Sequence, residues 1–335
     1  MKIFKRLALT LTALTLCFSS ACLGSQPTVN SNLVAGSYWL KNSEVNGIGA
    51  INETCVYNLS FEPNIPEDKE EAFLTCNDMS GTLTTVLTNS TYEGVACYKF
   101  TTELKNSGTY YYKAQSATFN DRITSEVYFL GLGDSFTPLY SKKYLLSTAP
   151  VIVPSSDEAI FAVMEYTMET IYDRENKSAT VKVTAGEAST EDFKPNDSER
   201  LYENYDKSGL YFDNESLLFI PRAADFADNG FSNSFYTIDG IVAKRQKLAL
   251  TVNSSAPTSS IKLPIYTYND VSYGETEISV YNATVSIVDT FSGSTIQLYY
   301  ATKTEHHRRL VQMKNQLAYS VGTIVYTLSS VSYSN

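Results

Sequence analysis

The chain has 335 residues, with 26 Lys and Arg against 36 Asp and Glu and a formal net charge of −10. An apolar share of 43% is too high for intrinsic disorder and enough for a sizeable core. The acidic balance argues against nucleic acid, and with only 2 His the commonest general base and metal ligand is nearly missing.

Residues 1–21 read as an export signal. Lys2, Lys5 and Arg6 are followed by an apolar run from Leu7 to Phe18, too short to span a bilayer. Ser19-Ser20-Ala21 then precede Cys22. This small-small-Cys ending resembles a bacterial lipoprotein signal. The resemblance implies diacylation of Cys22, which becomes the new N-terminus, and membrane attachment through that anchor on the outer face of the cell membrane. The alternative is ordinary cleavage near Ala21. Residues 22–35 are small and polar, a flexible tether, and 36–335 are expected to form a single β-rich extracytoplasmic domain.

Period-two alternation predicts strands over Thr54–Phe61, Thr82–Leu87, Val95–Leu104, Tyr110–Ala114 and Ile123–Leu130. The clearest hairpin joins Ile160–Tyr172 to Ala179–Thr184 through a charged turn at 173–178. Lys247–Val252, Thr276–Val288, Ser294–Thr302, Arg308–Lys314 and Gly322–Val331 continue the pattern. Glu187–Asp206 is polar and reads as a long loop or a boundary. Helices are expected over Pro66–Leu74 and Asn214–Phe226, the second interrupted by Pro221. Long antiparallel strands curl, so the expected fold is mainly β, a half-barrel with one or two short helices. Leu217, Leu218, Ile220 and Phe226 are then the candidate helix face at its mouth.

Ser125–Leu130 leading into Phe136–Ser141, the Glu165–Lys182 hairpin, Leu217–Arg222 and the final Gly322-Thr-Ile-Val-Tyr strand together resemble uncharacterised clostridial-type bacterial lipoproteins. Their order is also similar to the LolA/LolB-like half-barrel carriers. That resemblance implies a curled sheet enclosing an acyl chain; no functional residue carries over.

Catalytic chemistry is sparse. Cys55, Cys76 and Cys97 allow one disulfide in three ways, or three buried free thiols. His306 and His307 adjoin Lys303, Arg308 and Arg309 in what reads as a solvated basic turn. Glu165 and Glu169 share a strand face about 13 Å apart, too far for glycosidase geometry. Ser259-x-x-Lys262 lacks the helix its nucleophile chemistry needs. Asp225, Asp228 and Asn229 lack EF-hand spacing. Gly131-x-Gly133 is a turn, without the helix a phosphate loop needs. No metal or cofactor is expected, and no enzyme activity. The 25 tyrosines, including Tyr110-Tyr111-Tyr112 and Tyr299-Tyr300, place rings on both sheet faces. Two functions remain: a carrier or sensor of a hydrophobic small molecule or lipid, and an envelope interaction module binding glycan or protein through exposed tyrosines.

Overall fold

A computed structural model describes residues 52–64, 74–132, 135–153, 158–205, 211–219, 222, 232–239, 244–252, 259–287, 295–302, 309–316 and 322–333. Cys22, the signal and tether segments, and the helix expected from Pro66 lie outside these residues, apart from Leu74. Among the described residues no helix is long and apolar enough to cross a membrane.

The strands are β1 (Asn52–Pro63), β2 (Thr75–Tyr92), β3 (Val95–Tyr112), β4 (Gln115–Leu132), β5 (Ser135–Val153), β6 (Glu158–Asp173), β7 (Ser178–Ala185) and β8 (Ser198–Glu203). They continue as β9 (Ser232–Asp239), β10 (Lys244–Val252), β11 (Ser259–Tyr268), β12 (Val271–Ile287), β13 (Thr295–Ala301), β14 (Leu310–Gln316) and β15 (Gly322–Tyr333). All belong to one sheet, ordered β8-β7-β6-β5-β4-β3-β2-β1-β15-β14-β13-β12-β10-β9. The architecture is mainly β and barrel-like, as the alternation predicts. The Glu187–Asp206 stretch contributes β8 to this same sheet, paired with β7.

Strands β2 to β5 run 18 or 19 residues, long enough for their twist to coil the sheet. The coil brings the sheet's two ends together. Tyr205, just past β8, lies 4.8 Å by ring centroid from Tyr211, which bridges to Tyr236 of β9. Strand β11 adds a second closure by pairing β12 antiparallel and β15 parallel. Strands β15, β14, β13, β12 and β11 therefore form a hydrogen-bonded ring.

Alternation sets the two faces. On β6 the even positions from Ala162 to Tyr172 are buried, while Glu165, Thr167 and Glu169 look outward, partly exposed. One outward row reads Glu126, Lys142, Glu169, Lys182 and Glu199 across β4 to β8. Opposite charges stand on neighbouring strands, so a one-residue slip in any pair would lose this matching. Pro138 is tolerated in β5 because the ladder bulges there.

Candidate functional site

The concave face is filled by the chain itself. Residues 211–219 and Arg222 form a strap crossing it, with one 3-10 turn at Asn214–Ser216. This corrects the expected 214–226 helix: its described part is a tight turn and an irregular run. The Asp213 carboxylate accepts from Glu215 N–H at 2.8 Å, an N-cap for the turn that starts at Asn214. Leu217 is buried and Leu218 partly so; Ile220 and Phe226 lie outside the described residues. Phe219, 1% exposed, stacks with Phe129 and tilts against Phe100, at 4.8 and 4.9 Å between centroids. The Tyr300 hydroxyl donates to the Leu218 carbonyl at 2.8 Å.

Two buried ionic clusters pin the strap. At one end Lys143 of β5 pairs with Glu215 at 3.1 Å. Beside them Ser141 donates to Asp213 at 2.6 Å, and Tyr172 donates to the same carboxylate. Burial, then the neighbouring Glu215, push the Asp213 carboxyl up to about 6. At the other end Glu53 of β1 accepts from Arg222 at 2.6 and 3.2 Å, Arg309 at 3.3 Å and Tyr333 at 2.7 Å. Burial raises the Glu53 carboxyl, but Arg222 and Arg309 outweigh it and hold it down at about 2.

Arg309 corrects the sequence reading. It was expected in a solvated basic turn, yet it is 1% exposed, because Glu53, Tyr266 and Tyr333 receive its guanidinium. Lys303, His306, His307 and Arg308 lie outside the described residues, as do Asp225, Asp228, Asn229 and Gly133.

Outside the sheet, two adjacent cross-strand rows line a depression of about 360 Å³. One row is Thr84, Glu103, Thr124 and Tyr144; the other is Val86, Thr101, Glu126 and Lys142. Thr102 and Ser125 lie beneath, their hydroxyls 2.7 Å apart. The size falls in the range of small-molecule sites. Its charges are held in place: Lys99 pairs with Glu126 at 2.6 Å, Lys142 with Glu169 at 2.8 Å, and Arg122 with Glu103 at 3.1 Å. Tyr144 donates to Glu165 at 2.8 Å, and Tyr92 stacks on Tyr140 nearby, with centroids 5.4 Å apart. Gly186 makes room for Glu165, since a Cβ there would lie 2.2 Å from the Glu165 Cγ.

Glu165 and Glu169 therefore serve as hydrogen-bond and ion-pair acceptors on a strand, as the β reading of that segment has it. Cys55, Cys76 and Cys97 are free and buried, the second of the two cysteine readings. Burial above all pushes the Cys55 and Cys76 thiols up to about 12. Ser259 and Lys262 are both exposed on β11, three residues apart and so on opposite faces. Among the described residues no group of three or more His, Cys, Asp or Glu is placed to hold a metal. The depression had no signal in the linear sequence, because its lining comes two or three residues at a time from four strands.

No family model and no curated protein matches the chain. Among solved structures it is similar to a beta-barrel-like protein of a domain of unknown function, DUF1849, from Brucella abortus. That likeness has a TM-score of 0.46 and 9% identity, covering 85% of this chain and 98% of that one.

Proposed function

We propose that the chain is a non-catalytic, lipid-anchored extracytoplasmic module that binds a glycan on the convex wall of its barrel. One observation carries this reading: the concave side is taken by the strap, whereas the depression on β2 to β5 opens outward. An apolar ligand inside would have to displace Leu217 and Phe219. The outer depression offers carboxylates and threonine hydroxyls to sugar hydroxyls, and the Tyr144 ring to the apolar face of a sugar. Its internal ion pairs hold these groups in position before a ligand arrives, which lowers the ordering cost of binding.

The test is co-sedimentation of the purified protein with insoluble cell-wall polymer, alongside uptake of a fluorescent fatty acid. Binding to the polymer that weakens roughly 3–10-fold in Tyr144→Ala supports the proposal, the loss expected from about 0.5–1.5 kcal/mol of aromatic contact. Fatty-acid uptake without polymer binding refutes it and restores the carrier reading.

A further inference from the structure

On the concave face one cross-strand row runs Tyr326, Leu59, Gly81, Asn106 and Asp121, with Ser147 next on β5. Gly81 is required here: a Cβ would lie 2.1 Å from the Lys105 carbonyl and 2.9 Å from the Asn106 Cβ. Asp121 is 6% exposed and its carboxyl oxygens accept from neutral donors, Thr148 N–H at 2.8 Å and Ser147 Oγ at 2.9 Å. Asn106, its cross-strand neighbour, also hydrogen-bonds to it. The Asn106 Oδ1 atom is buried without a hydrogen-bond partner among the described residues. A buried acceptor with no donor destabilises the fold, because it has given up water without replacement.

One proton resolves both problems. We propose that Asp121 is kept as the neutral acid, its O–H donating to Asn106 Oδ1, and that loss of this proton is a pH-sensitive switch in the β3–β4–β5 wall. In the neutral form acid and amide make a two-point pair, each donating to the other. On ionisation the proton leaves to solvent, Asn106 Oδ1 loses its donor, and a carboxylate held by neutral donors alone is left inside the barrel. Among the described residues the ionisable groups facing it are Cys76 from β2, Tyr110 from β3 and Tyr326 from β15. None of these supplies a positive charge. Lys143, the inward cation of β5, is engaged by Glu215, and Arg122 of β4 turns outward to Glu103. Burial first of all pushes the Asp121 carboxyl up to about 7, against the pull of its donors, so the switch would operate near neutral pH.

Infrared difference spectra between the full chain and Asp121→Asn isolate the neutral carboxyl C=O band of this residue from that of Asp213. Asn at 121 donates to Asn106 at every pH. The expected result is an Asp121-dependent band in mildly acid buffer that titrates away near neutrality. Hydrogen-exchange protection of β3 to β5 should fall about tenfold further over the same range in the wild type than in the variant, where Asp213 still titrates. Should Asp121→Asn not fold, Asn106→Leu serves: the amide N–H alone would hold the carboxyl down, so the midpoint of the band falls in this variant only if the lost acceptor of the acid proton outweighs the lost donor. Absence of an Asp121-dependent band in acid, or a midpoint that Asn106→Leu raises or leaves unmoved, overturns the proposal.

Discussion

Glu53→Gln is the sharpest probe of the interior. Glu53 is 5% exposed and is the shared acceptor of Arg222, Arg309 and Tyr333. Glutamine keeps the shape, removes the charge, and turns one acceptor oxygen into a donor facing a guanidinium. Breaking a buried pair costs about 3–5 kcal/mol, and two cations are stranded here, so the upper end applies. At roughly 2 °C per kcal/mol for a chain of this size, the melting temperature should fall by about 10 °C. Scanning calorimetry at neutral pH measures it. Lys262→Ala is the control: its pair with Glu275 spans 3.9 Å in the open, and its loss should stay within about 1 kcal/mol. Arg222 holds the strap, so proteolysis near residue 222 should also speed up in Glu53→Gln. A loss below about 1 kcal/mol would refute the claim that this cluster anchors the strap. The same cluster sets an acid limit. A carboxyl held at about 2 contributes stability that is present above its ordinary value of 4.5 and lost as pH falls toward 2.

Asp213 has the opposite sign: raised to about 6, it favours the fold below its ordinary 3.8 and loses that contribution as pH rises through 6. Asp213 should therefore contribute a drop in unfolding free energy of up to about 3 kcal/mol between about pH 4 and pH 6, and Asp213→Asn should reduce the slope to the part that Asp121 supplies; a slope unchanged in the variant would exclude this source. Phe219→Ala should cost about 3–5 kcal/mol in denaturant titrations, because its ring is wedged between Phe100 and Phe129; a loss near zero would mean the strap does not pack on the wall. Cys55, Cys76 and Cys97 should resist alkylation at mildly alkaline pH and react together on denaturation, read by mass spectrometry; any that stays unreactive when denatured and unreduced would reveal a bridge.

Strands were legible where one face is buried and the other wet, as along β1, β6 and β7. They were misread where inward positions are polar. Strand β3 looked like two because Lys105-Asn106-Ser107-Gly108 breaks the apolar rhythm, yet Asn106 faces inward to meet Asp121. Strand β5 was seen only near Phe136–Ser141: Pro138 and Pro150 argue against a central strand, and Ser141, Lys143 and Ser147 point into the core. Strand β8 has little buried side-chain surface and is recognised by backbone pairing alone. Residues 214–219 read as a helix at the barrel mouth from their apolar side chains, whereas they form a 3-10 turn and an irregular run. The strap's fastening charges were invisible, since Glu53, Arg222 and Arg309 are partners only in three dimensions, 169 and 256 residues apart from Glu53.

Strand β15 pairs with β1, β14 and β11, and its Tyr333 hydroxyl reaches Glu53 from 280 residues away. The folding pathway inherits this. Strands β1 to β8 make a meander of local hairpins that can zip up early, but the seam between the first and last strands closes a very long loop. Until β15 arrives, β1 presents an open edge to any neighbouring chain, and the ring has no wall on that side. Refolding should show a fast phase for the meander and a slow, concentration-sensitive one for the seam, where aggregation competes.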